Sequence, residues 1–325
     1  MATLIDRKPW LHLPIVPLIQ EHLDQFYQFV YERHMVWFRR FVLKLSPPWT
    51  ANRWLRDYKF TNVYRELDRG TAWLMSHILS PTALAAGSQH NLLWQVVLYR
   101  VLNRVETFEA VGIPSYSKWE ADKGVFRSNL YEYKRRHGHV FTNAHLTVPV
   151  NRLGGDKLAA YLKGLDALHK LVPKLWMEIA AAETMEQVFR ALQLVPYVGP
   201  FIAYEITVDL TYGKLIPFTE DDFVNAGPGC KVGIKLIFPE RSKKDELVAA
   251  IHELRDSQQY HFQRLSLDFP YLNGKPLSLR NIEHSLCEFC KIWKITHGVG
   301  KARMLFKPKS TNPYESAAGQ LPLSF

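Results

Sequence analysis

The stretch LVPYVGPFIAYEITVDL, residues 194–210, decides how the chain is read. Apolar helical patterns run up to it and away from it, and between them stand Pro196, Gly199 and Pro200. Pro196 cannot continue the preceding helix, Gly199 permits a left-handed φ, and Pro200 suits the first position of the next helix. Two helices joined by a tight hairpin are the expected product. The N–H groups at the start of the second helix, around Tyr197, Val198, Gly199 and Phe201, would then offer a positive dipole end that can hold a phosphate without reading sequence. The ordinary alternative is a plain corner between packed helices.

On both sides of this stretch the helical period dominates. Ile19, Leu23, Phe26, Val30, Phe38, Phe41 and Leu45 recur at mostly three- and four-residue steps, predicting a helix over 17–45 that ends at SPP. Further helices are expected at 62–79, 91–105, 157–182, 185–194, 200–211, 243–265 and 279–294, with Ser242 and Ser278 as N-caps of the last two. Ser117 and Glu120 fit a capping box ahead of another helix. HGHVFTNAHLTVPVNRLGG, residues 137–155, lacks this period and reads as a loop or hinge between lobes. The class is all-α: one domain over 1–306, with two packed helical lobes at roughly 1–150 and 151–306, and a loose tail at 307–325.

Lys and Arg outnumber Asp and Glu by 41 to 31, a formal charge of +10 that favours a polyanionic partner. No apolar run approaches the length of a membrane span and the first residues hold no secretory core, so an intracellular protein without a membrane role is expected. Three cysteines cannot build a disulfide framework, and one Cys-x-x-Cys lacks the second ligand pair of a metal site, so neither metal nor other cofactor is expected. GVGK, residues 298–301, is too short for a phosphate-binding P-loop.

YKFTNVYRELDRGTAWL, residues 58–74, carries the most chemistry. At 100° per residue Val63, Leu67, Leu74 and Ile78 form one face, and Asn62, Arg65 and Arg69 cluster on the other. Two arginines one turn apart make a fork that suits a phosphate or pyrophosphate, with Asp68 placed to orient either. A solvated basic face with local ion pairs is the alternative.

This stretch, with VLYRVLNRVETFEAVG (97–112), DDFVNAGPGCKVGIKLIF (221–238) and NIEHSLCEFCKIWK (281–294), resembles the α-glutamyl/putrescinyl thymine pyrophosphorylase family, which is related to the helical domain of 5-hydroxymethyl-deoxyuridine DNA kinases. The four motifs occur in family order across most of the chain. The hairpin followed by a Gly/Pro loop also resembles the helix-hairpin-helix DNA glycosylases, in which an Asp faces a flipped nucleotide. Asp221 matches that position best and Asp222 second. The lyase lysine of those enzymes is replaced here by Phe201, and their four-cysteine cluster is missing.

The resemblance implies a DNA hypermodification enzyme that flips a pyrophosphorylated 5-hydroxymethyluracil, or takes it single-stranded, and replaces pyrophosphate with a small amine or amino acid. A hydroxymethyluracil DNA kinase is then a possible partner. Asn62, Arg65, Asp68 and Arg69 are implied in the site, with Tyr99, Arg100 and Asn103 facing the same cavity or, alternatively, packing helices. Glu283 or His284 can serve as the base for the amine, and Cys287 as a transient nucleophile or simply a small core residue. The basic segments around Arg135 and Arg136 and over 300–309 extend a DNA footprint or are solvated surface. The competing functions are a monofunctional glycosylase acting through Asp221 and a non-catalytic DNA-binding module.

Overall fold

The computed structural model describes residues 17–142, 156–299 and 304–306. In chain order the helices are α1 (Gln20–Trp37), α2 (Arg53–Asp57), α3 (Arg69–His77), α4 (Pro81–Ala86), α5 (Gln89–Leu102), α6 (Val105–Val111) and α7 (Trp119–His137). They are followed by α8 (Lys157–Ala180), α9 (Met185–Leu192), α10 (Pro200–Tyr212), α11 (Pro228–Ile237), α12 (Lys244–Arg264) and α13 (Leu279–Thr296). Among the described residues there is no strand, and Tyr58 and Leu305 form an isolated antiparallel bridge. None of these helices is long and apolar enough to cross a membrane. The expected tail lies outside the described residues, as do positions 143–155 of the expected hinge.

The chain divides into two compact units, one built from residues 1–68 and 224–325, the other from 69–223. These bounds differ from lobes meeting at 137–155. The reason is that α1 packs on α11, α12 and α13, pairing the two ends of the chain in one core, whereas hydrophobic period shows only which face of a helix is buried and not what buries it.

In the first unit α1 buries Leu23, Phe26, Phe29, Val30 and Trp37, with the Phe26 ring edge-on to Phe289 of α13 at 5.6 Å. The same stripe buries Arg33 and His34. His34 stacks between Trp37 and Phe269, and its Nε2 lies 2.9 Å from the Pro270 carbonyl; burial pushes its pKa down to about 4. The helix ends in a π-helical turn, Phe38–Val42, and Leu45 is exposed. The tightest packing is that of α11 on α13. A Cβ on Gly233 would sit 2.2 Å from the Leu286 carbonyl oxygen, and one on Gly229 would sit 2.4 Å from the Cys287 sulfur. Glycines four residues apart let the two backbones meet. The Gly/Pro loop expected after the hairpin runs into this helix: Gly227 is its N-cap and Pro228 its first residue, a start that the run of glycines hides in the sequence.

In the second unit α5 is the central helix, buried at all but one position from Leu92 to Leu102 and packed on α8 and α10. Helix α10 is buried continuously from Ile202 to Leu210, including Glu205, Thr207 and Asp209. The expected capping box before α7 is not formed: Lys118 is the N-cap, without a side-chain bond, and Glu120 pairs with Lys123 at 2.5 Å. Lys243, not Ser242, is the N-cap of α12. Ser278 does cap α13, accepting from the Asn281 N–H at 3.2 Å.

Candidate functional site

The expected helix over 62–79 begins only at Arg69. Before it the Asn62 N–H donates to Asp68 Oδ1 at 2.8 Å, and Asn62 Nδ2 donates to the Leu67 carbonyl at 2.7 Å. These bonds close a loop around a single 3₁₀ turn, Arg65–Leu67, and Asp68 leaves it extended at ψ 134°. Asn and Asp offer the backbone partners that compete with a helix, so the residues singled out for chemistry are also those that break it. Arg65 and Arg69 are therefore not a fork on one helical face. Arg65 is buried in the first unit, and Arg69 opens α3 in the second, paired with Glu106.

Around the loop the first unit gathers an unusual set of charges. Arg33 from α1 donates through Nη2 to the Asn62 carbonyl at 3.2 Å and to Ser285 Oγ of α13 at 3.1 Å. Its side chain is 4 % exposed, and burial lowers its pKa to about 10 against the pull of Glu288 and Asp68. Asp68 keeps some solvent contact but is ringed by protein; that burial pushes its pKa up to about 6, against the Asn62 N–H, Arg65 and Arg33. Sequence reasoning missed Arg33. Its signal was position: it falls in the stripe of Phe26, Val30 and Trp37, where an apolar residue is expected.

On α13, Glu283 is buried and its oxygens are committed, one to Arg280 and the other to the Gly227 N–H at 3.1 Å. It is a tie between α11 and α13 rather than an open base. His284 Nδ1 faces Arg280 Nη2 at 3.3 Å, and because a guanidinium only donates, Nδ1 accepts and Nε2–H donates to Thr61 Oγ1. Glu288 accepts from the Thr61 N–H at 3.4 Å and from Lys291 at 3.3 Å. Cys287 is solvent-exposed in part, yet desolvation by the protein packed around it, and then the carboxylates of Glu283 and Glu288, push its thiol up to about 12. At neutral pH it holds its proton, which removes the standing thiolate that nucleophilic attack needs.

In the second unit the other expected residues hold helices together. Arg100 makes a buried bidentate pair with Asp209, Nε to Oδ2 at 2.6 Å and Nη2 to Oδ1 at 2.7 Å, and reaches Asn103 Oδ1 at 3.1 Å. Asn103 ends α5 in the left-handed region at φ 53°, and Tyr99 donates to the Gly70 carbonyl at 2.8 Å while stacking on Trp73. Asp222 closes a local turn on Thr219, accepting from its N–H at 2.6 Å and its hydroxyl at 2.8 Å, beside an exposed Asp221.

In the hairpin the left-handed residue is Tyr197, at φ 67°, while Gly199 is extended. The Tyr197 ring fits against Gly164 of α8, where a Cβ would lie 2.8 Å from it, and Val198 is buried. Gly199 and Phe201 are exposed at the start of α10. Arg135 and Arg136 are exposed at the end of α7, and both pair with Glu132, at 2.8 and 2.6 Å. The second basic segment lies outside the described residues except 304–306.

Residues 20–302 match the family described as 5-hmdU DNA kinase, helical domain. A 5-hmdU DNA kinase of Bacillus phage SP10 is 30% identical over 282 residues, which cover 82% of this chain and 44% of that protein. The chain thus spans less than half the length of this relative. No solved structure matches. With the match running from α1 through α13, the chain belongs to the 5-hmdU DNA kinase helical-domain family.

Proposed function

We propose that this chain modifies thymine-derived bases in DNA, replacing the pyrophosphate of a pyrophosphorylated 5-hydroxymethyluracil with a small amine or amino acid. The observation that carries the reading is the cluster in the first unit, where the buried guanidinium groups of Arg33 and Arg65 lie within electrostatic reach of Asp68, whose pKa is raised to about 6. Displacement at the exocyclic methylene forms a C–N bond as the C–O bond to pyrophosphate breaks, and the leaving group takes the electron pair. Fixed cations stabilise the charge that develops there, and Arg65 is assigned that role. The attacking amine must shed a proton, and a carboxylate with a pKa close to the working pH is suited to take it, so Asp68 replaces Glu283 and His284 as the assigned base.

The membership supports DNA as the substrate, since the kinase relative is named for a modified deoxyuridine in DNA. The α9–α10 turn is assigned to the DNA backbone through Gly199 and Phe201, in the manner of a helix-hairpin-helix. A partner kinase would supply the pyrophosphorylated base. A glycosylase reading through Asp221 has less support, because Asp221 and Asp222 are both exposed and Asp222 is engaged in its own turn.

Nucleoside mass spectrometry, after incubating the protein with pyrophosphorylated hydroxymethyluracil DNA and pools of amino acids and polyamines, tests the reading. An amine-bearing nucleoside is expected, and Arg65→Ala should lower its rate of formation by on the order of 10²-fold or more. Unaltered nucleosides would remove the transferase, and free base released instead would favour a glycosylase.

Asp68 also sets an opposed pair of pH dependences. Its folded pKa lies above its unfolded value of about 3.8, so the folded state binds the extra proton and stability from this group falls as pH rises from about 4 to about 6. Activity should climb over the upper part of the same window, as the base ionises. Asp68→Asn is expected to flatten the stability profile between pH 4 and 6 and to abolish the rise in rate; a variant that kept the wild-type pH–rate profile would remove Asp68 as the base.

A further inference from the structure

Arg33 has a donor inventory that the protein does not use. Of its three nitrogens only Nη2 is engaged, by the Asn62 carbonyl and Ser285 Oγ, and no described residue accepts from Nε or Nη1 although both are buried. The guanidinium carbon lies 5.2 Å from the centroid of the Phe29 ring, and an aromatic face replaces an oxygen acceptor poorly for hydrogen bonds made in the guanidinium plane. A buried arginine with idle donors is costly, and the apolar stripe of α1 would take leucine or methionine at this position without that cost. An arginine placed there points to an acceptor that arrives with a ligand.

The surroundings indicate what kind. Arg33 is bound to the Asn62–Asp68 loop through the Asn62 carbonyl and to α13 through Ser285, so it is fixed between the two segments that carry Asp68 and Glu288. Arg65 is buried in the same loop. An oxyanion beside Arg33 would receive its idle N–H groups, and Asp68 and Glu288 lie within electrostatic reach to balance an ammonium on the same or a second molecule.

We infer that Arg33 is the anchor of an oxyanion-binding site in the first unit, taking either the pyrophosphate that leaves or the carboxylate of an amino-acid co-substrate. The inference rests on the proposed transferase for the identity of these ligands, but the site itself can be tested without catalysis. Calorimetry of the full chain with inorganic pyrophosphate, and separately with glutamate and glycine, is compared among the wild type, Arg33→Met and Arg33→Lys, with circular dichroism reporting the fold.

The expected result is binding of one of the two ligand types by the wild type, weakened at least about tenfold in Arg33→Met and less in Arg33→Lys, where the charge survives without the planar fork. Loss for pyrophosphate alone assigns the leaving group, and loss for the amino acids alone assigns the co-substrate. Affinity unchanged in both variants, or no binding of any of these ligands by the wild type, overturns the site. Should Arg33→Met fail to fold, Arg33→Lys decides by the same comparison. Arg33-dependent binding without any amine-bearing nucleoside keeps the site and removes the transferase.

Discussion

Gly233→Ala is expected to destabilise the protein by roughly 3 kcal/mol or more, the upper end for overpacking a well-filled core. The added methyl would meet the Leu286 carbonyl oxygen at 2.2 Å, its carbon at 2.8 Å and the Leu286 Cα at 3.2 Å. All three are backbone atoms, so no rotamer change relieves the contact, and α11 and α13 must separate along their crossing. Glu283, which holds the two helices through Gly227, would lose its geometry as well. Gly124→Ala is the internal control. Gly124 is exposed within α7 and a Cβ there meets nothing within 4 Å, so the same change should stabilise by about 0.5–1 kcal/mol through helix propensity. Denaturant unfolding reads both, and two shifts of the same sign would refute the packing argument.

Asp209→Ala carries the second large effect, a loss of about 3–5 kcal/mol, because it leaves the Arg100 guanidinium buried without its bidentate partner. The pair itself is weak evidence for net stabilisation, since two charges taken from water offset much of their attraction. The double variant Arg100→Met, Asp209→Leu should therefore recover most of what the single change loses. A double variant as unstable as Asp209→Ala would mean that α5 and α10 depend on the ion pair itself.

The helical class was legible because amphipathic stripes such as Leu23, Phe26 and Val30, and a Ser cap such as Ser278, are local signals. So were most helix ends in the second half of the chain. Three features were not legible, for separate physical reasons. Val63, Leu67, Leu74 and Ile78 are all buried, as their period demands, yet the helix joining them is broken by side-chain bonds that period does not report. Helix α11 is built on glycines whose value lies in contact with a helix fifty residues away, which propensity counts against them. Arg100 reads equally well as a ligand-facing or a paired residue until Asp209, 109 positions on, is known to lie opposite it. Of the candidate site, Arg65 and Asp68 were visible through motif resemblance, whereas Arg33 was hidden by the apolar company it keeps.

The division of the chain has a temporal consequence. Residues 69–223 form one unbroken unit, while the other unit needs both the segment before it and the segment after it. During synthesis the inserted unit can complete its core while α1 still waits, its apolar stripe unpartnered, until α11, α12 and α13 have left the ribosome. Contacts of such sequence separation close slowly, so the core that holds Arg33 and Asp68 assembles after that of the inserted unit.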